Sequence, residues 1–171
     1  MLRGRDPCHA IRAPRPGGAL EQPAALTLTQ LRALPAATRT VTYSSGTGTQ
    51  AHTYVGTALW DLLNGMGIQV DTAARNDLLG KYVLATGADG YKAVFSLGEI
   101  KPDFGNRGSQ VVYGEMVNGV AAPLAADGPL CVTAPGDGKR GTMCPACCGW
   151  MSALPARRSW APAVELPPGL P

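Results

Sequence analysis

Tyr54-Val55-Gly56-Thr57-Ala58-Leu59-Trp60-Asp61-Leu62-Leu63 changes its hydrophobic period in the middle. Ala51 to Val55 is a short β-rich run. From Ala58 onward the apolar residues Leu59, Leu62, Leu63 and Met66 recur at helical spacing, with Trp60 on the flank. Gly65 and Gly67 close that helix, since glycine readily takes the left-handed backbone found at helix ends. A strand that turns through glycine into a helix therefore sits near the centre of the chain.

Working outward, the same signals recur on both sides. Upstream, Ala24 to Leu34 reads as a short strand at Leu26 and Leu28, then a helical turn capped by Thr29 and stopped by Pro35. Arg39 to Ser45 is an alternating β-branched strand, and Ser44-Ser45-Gly46-Thr47-Gly48 is turn material. Downstream, Lys81 to Thr86 and Tyr91 to Phe95 flank Gly87-Ala88-Asp89-Gly90, a hairpin signal. Ser96-Leu97-Gly98-Glu99 has the spacing of a capping box, and Pro102 ends the short helix it would open. Gln110 to Val117 and Leu130 to Ala134 are further strands, and Asn118-Gly119 is a turn. Strands and short helices alternate without regular βαβ spacing, so an α+β domain with a mixed β-sheet is expected.

Composition narrows the class. With 171 residues and 45% apolar content, one domain with frayed or foreign ends is expected: residues 1–18, 19–138 and 139–171 divide the chain. The 22 glycines and 15 prolines point to many turns. No apolar run approaches the roughly 18 residues of a membrane span. The segment 1–18 is basic and proline-rich without an apolar stretch, so no secretory signal is visible in it. From Glu21 to Gly138, seven basic residues face ten acidic ones, leaving about −3 although the whole chain is +3. Without a basic stripe on the folded body, nucleic-acid binding is not expected. The five cysteines (Cys8, Cys131, Cys144, Cys147, Cys148) show no spaced disulfide framework.

Four segments in this order resemble the oxidoreductase molybdopterin-binding domain of the sulfite oxidase superfamily, in its small bacterial single-domain form. They are residues 26–35, residues 54–63, residues 88–97, and residues 123–129 followed by Ala134-Pro135-Gly136-Asp137. The resemblance implies a sulfite oxidase-like fold, a molybdopterin ligand and an exported, periplasmic or secreted protein. It also implies that a cysteine thiolate after a Thr-x-Thr-x-x-Cys strand holds the metal, as soft sulfur ligation suits molybdenum. Here Thr40-Val41-Thr42-Tyr43-Ser44-Ser45 places Ser45 at that position, and a hydroxyl is a harder, weaker ligand. The asparagine and paired arginines of the family pattern are replaced by Gly46-Thr47-Gly48. Cofactor contact is expected from Ser45, from His52 at the mouth of the cleft, and from Asp89 and Tyr91 on the central hairpin. For each the bland alternative stays open: a plain turn at Ser45, a surface or core histidine at His52, and a simple bend at Asp89-Gly90-Tyr91. No catalytic residue and no metal ligand is assigned.

The segment after Gly138 departs from the resemblance. Cys144-Pro145-Ala146-Cys147 has the spacing of a redox motif or half a zinc site. A shifted reading frame offers another account. Met143-Cys144 forces valine, Cys147-Cys148 leucine and Trp150-Met151 aspartate, and allowed codons elsewhere complete Asp-Val-Ser-Gly-Leu-Leu-Arg-Leu-Asp-Val. That text is the final strand the family pattern lacks here, so a frame change near Lys139 to Gly141 is expected. Loss of this strand would leave an unpaired sheet edge and an aggregation-prone product. Three functions follow: a non-catalytic module binding a small ligand or a protein partner, a molybdenum enzyme with an atypical ligand, or a thiol or zinc protein acting through residues 139–171.

Overall fold

The period change at residues 54–63 is a strand that runs directly into a helix: Gly48–Ala58 is extended and Leu59–Gly65 is helical. The computed structural model describes residues 10–11, 20–21, 26–87, 90–124, 129–138 and 151–155. In chain order the strands are β1 (Ala10–Ile11), β2 (Leu26–Thr27), β3 (Ala37–Ser45), β4 (Gly48–Ala58), β5 (Lys81–Thr86), β6 (Lys92–Ser96), β7 (Gln110–Val117), β8 (Val120–Ala122), β9 (Cys131–Thr133) and β10 (Met151–Pro155). The helices are α1 (Leu28–Ala33), α2 (Leu59–Gly65) and α3 (Leu97–Ile100), with a 3-10 turn at Asp77–Gly80.

Five strands form the main sheet in the order β3-β4-β7-β8, with β9 also on β7, and β10-β5-β6 form a second sheet. The architecture is α+β with strands and short helices intermixed. The expectation of a mixed sheet narrows to antiparallel ladders for every pairing among the described residues. Short hairpin loops, as at Gly46-Thr47 and Asn118-Gly119, join antiparallel neighbours, whereas a parallel pair needs a crossover of a dozen or more residues. Both residues of the second loop have positive φ (52° and 80°), as a tight hairpin turn of this kind requires.

The two faces of the main sheet are buried differently. One packs Val111, Tyr113 and Val132 against Leu31, Leu59, Leu63, Val83 and Phe95, joining both sheets and all three helices in one core. The other carries a smaller cluster of Val41, Tyr43, Tyr54, Val112, Leu124 and Cys131. Cys131, a strand residue as expected, is thus a core side chain, fully buried, with its thiol donating to the Val132 carbonyl at 3.5 Å.

β4 and β7 shift register between Val55 and Gly56. Val55 faces Gly114 and Gly56 faces Val112, so Tyr113 is one residue in excess on β7. Gly56 permits the close approach: a Cβ there would lie 2.6 Å from the Val112 Cα and nearer still to the Val111 carbonyl oxygen.

Local signals were misplaced at two helix starts. Thr27, not Thr29, caps α1: its side chain accepts from the Gln30 N–H while the Gln30 carboxamide accepts from the Thr27 N–H at 2.8 Å. The competing cap lost because this reciprocal pair satisfies two otherwise orphan N–H groups. Thr27→Ala is expected to lower stability by about 1 kcal/mol, read as a shift in the urea midpoint at unchanged slope. Ser96 makes no side-chain cap bond to α3, so the capping-box spacing there is not used. A four-residue helix has little to gain from it, because Ser96 still belongs to β6.

An unpaired sheet edge was expected after Gly138; in the structure residues 151–155 cover the β5 edge of the second sheet. Met151–Pro155 pairs with β5 from Met151↔Ala85 to Pro155↔Lys81. Strand pairing is a main-chain property, so a segment without a β-type side-chain pattern can take a free edge. Residues 139–150, with Cys144, Cys147 and Cys148, lie outside the described residues, as do residues 1–9 with Cys8. Beside that edge, Lys81 is buried and paired with Asp77, whose carboxylate also accepts from the Asp71 N–H at 2.8 Å. Among the described residues no helix is long and apolar enough to cross a membrane.

Candidate functional site

The β3–β4 hairpin places two of the expected site residues together. Ser45 pairs with Gly48 at the hairpin tip, and His52 pairs with Val41 further along. Residues that pair directly share a sheet face, so Val41, Tyr43, Gln50, His52 and Tyr54 all project to the side of the smaller cluster. There the His52 ring lies between two tyrosines. It is parallel to Tyr43 within 7° at 5.5 Å and to Tyr54 within 11° at 5.8 Å.

The third partner arrives from β7. His52 Nδ1 lies 2.5 Å from Glu115 Oε1, with both side chains about a quarter exposed (29% and 23%). Sequence reasoning missed Glu115, which is 63 residues away. The extra residue on β7 is what delivers it. Strict alternation from Val112 would put Gly114 and Met116 on the His52 side, but the shift turns Glu115 there opposite Tyr54. The only sequence signal was the single charged side chain in this strand.

A polar chain continues to the tip. His52 Nε2 lies 3.3 Å from Gln50 Oε1, and Gln50 Nε2 donates to Thr47 Oγ1 at 2.9 Å. Thr47 Oγ1 and Ser45 Oγ are 2.9 Å apart. Ser45 Oγ donates to the Gly48 carbonyl at 3.0 Å and accepts from the Thr47 N–H at 3.2 Å. Ser45 and His52 are therefore ends of one hydrogen-bonded series, and Ser45 has the contacts of a turn residue.

The central hairpin stands apart from this series. Tyr91 precedes β6 in the second sheet, is 40% exposed, and its carbonyl accepts from the Gly87 N–H at 2.7 Å. Gly90 supplies the positive φ (87°) of that bend. Asp89 lies outside the described residues.

Two further groups mark the start of β7. Gln110 is 2% exposed, and its amide donates to the Ala37 carbonyl at 3.0 Å while its Oε1 is buried without a partner. Ser109 Oγ, on the residue before the strand, is likewise buried and unpartnered. The Arg39 guanidinium lies against Gly108, whose missing Cβ would sit 2.5 Å from Nη2.

Chemically, the His52–Glu115 pair is an oriented imidazole with no nucleophile on its second nitrogen, which faces the Gln50 amide oxygen. Among the described residues no three His, Cys, Asp or Glu side chains are grouped to hold a metal ion. The arrangement offers aromatic faces, a carboxylate and amide groups.

No protein-family model matches the sequence, and no curated protein matches it. Among solved structures the chain is similar to the sulfane dehydrogenase SoxCD from Paracoccus pantotrophus, with a TM-score of 0.62 and 17% identity. The match covers 85% of this chain and 38% of that one, so the chain spans well under half of that protein. At this identity the likeness concerns the fold.

Proposed function

We propose that the chain is a non-catalytic binding module on a sulfite oxidase-like, molybdopterin-domain scaffold, taking a small ligand or a protein partner. The observation that carries the reading is the state of Ser45. At the position where the resemblance puts the metal-holding thiolate, the side chain is a hydroxyl that donates to Gly48 O and accepts from the Thr47 N–H. Cys131 offers no substitute, because it is fully buried in the smaller cluster with Val112, Tyr54 and Leu124. Among the described residues the donor set therefore does not fit a thiolate-held metal, and no oxygen-atom transfer is derived through one. The fold likeness to SoxCD supports the scaffold half of the reading. The pterin half, with contacts at Ser45, His52, Asp89 and Tyr91, and an exported location rest on the sequence resemblance.

Metal analysis of the full chain from a molybdenum-replete host tests this. The expected molybdenum content is far below one per chain, for the native protein and for Ser45→Ala alike. Stoichiometric molybdenum that disappears in Ser45→Ala would overturn the reading in favour of an enzyme with an atypical oxygen ligand.

A further inference from the structure

The hydrogen bonds of the β3–β4 hairpin have a direction, and the direction starts at a group that cannot donate. The Gly48 carbonyl takes the single hydroxyl proton of Ser45. Ser45 then has no proton for Thr47, so in their 2.9 Å contact Thr47 Oγ1 is the donor. With its own proton committed, Thr47 can only accept from Gln50, which fixes the Gln50 NH2 toward Thr47 and its Oε1 toward His52. His52 Nε2 thus faces an acceptor, and Nδ1 faces the Glu115 carboxylate, also an acceptor. Two acceptors on one imidazole require two N–H groups, which is the imidazolium. The stacked Tyr43 and Tyr54 rings present their electron-rich faces to that cation.

We propose that His52, Gln50, Thr47 and Ser45 form a two-state hydrogen-bond relay that transmits the protonation of His52 to the tip of the hairpin. Loss of the Nε2 proton would leave two lone pairs facing one another. Turning the Gln50 amide removes that conflict: its NH2 donates to Nε2, its oxygen takes the Thr47 proton, and Thr47 accepts from Ser45. Every link survives in reverse except the last, because Ser45 no longer donates to Gly48 O. The hairpin tip loses one hydrogen bond when the ring loses its charge, whatever the scaffold binds.

The surroundings of the ring are defined. By strand register its face presents Arg39 and Tyr43 from β3, Tyr54 from β4, Glu115 from β7 and Cys131 from β9. Of these, Glu115 bonds to the ring and the tyrosines stack on it.

The test is a pH series of 15N and 1H NMR spectra on the full chain. Expected are two protonated ring nitrogens on His52 at the acid end, and movement of the Gln50 side-chain amide and the Thr47 and Thr49 backbone amides with the same midpoint as the ring. In Gln50→Ala the ring still titrates but the tip signals no longer follow it. In Thr47→Val the Gln50 amide follows the ring while the Thr49 signal does not. Tip signals that ignore His52 in the native chain overturn the relay. So do tip signals that follow it unchanged in Gln50→Ala, or a ring that holds one neutral tautomer across the series.

Discussion

Gly56→Ala is expected to destabilise the fold by about 3 kcal/mol or more, the upper range for forcing an atom into a packed interior. The new methyl group would lie 2.6 Å from the Val112 Cα and closer to the Val111 carbonyl oxygen, both main-chain atoms in the middle of the main sheet. A flexible side chain could rotate away from such a contact, whereas β7 is held by β4 on one side and by β8 and β9 on the other. Relief requires β4 and β7 to separate and lengthen their ladder bonds. Urea unfolding of the two proteins reads the difference. A midpoint within about 0.2 M of the native value, for the slope of ~1–3 kcal/mol/M typical of small proteins, would show that the approach at Gly56 relaxes freely.

Tyr54→Ala has the next largest expected effect, about 3–4 kcal/mol, as for other large aromatic truncations in cores. Tyr54 is 1% exposed and contributes to the smaller cluster with Val41, Tyr43 and Val112. Its ring also forms one wall of the His52 stack. Truncation therefore opens a cavity and frees the imidazole on one side. Tyr54→Phe isolates the hydroxyl, since it keeps the ring that fills the cluster and stacks on His52. Thermal unfolding should place Tyr54→Phe nearer the native protein than Tyr54→Ala. Equal losses in both would assign the effect to the hydroxyl instead of to packing.

The sequence was most informative where one residue's neighbours in the chain are also its neighbours in space. β3, β5 and β7 fall where alternation and β-branching place them, and α2 follows the recurrence of Leu59, Leu62 and Leu63. β4 is longer than its alternating part, because Gly48 to Gln50 pair through their backbone whatever their side chains. The helix starts were harder, since Thr27 and Thr29 are equivalent in type and only the reach of the Gln30 side chain separates them. β10 was invisible because edge pairing needs no side-chain pattern. At the site, His52 and Ser45 were nominated by resemblance, but their connection was not legible. It passes through Gln50 and Thr47, ordinary polar residues in a hairpin, while Glu115, on the other ring nitrogen, is brought near only by strand pairing. Tyr91 is set apart from the other two because consecutive hairpins enter different sheets.

The extra residue at Tyr113 splits β7 into two halves that obey opposite rules. Before it, odd positions serve the large interior; after it, odd positions look toward the histidine. Tolerance to substitution along the strand should change phase at that point, as a wallpaper pattern slips by one stripe at a seam. A single inserted codon is enough to make such a seam. A lineage can in this way acquire a polar group on one side of a sheet without disturbing the hydrophobic order of the other.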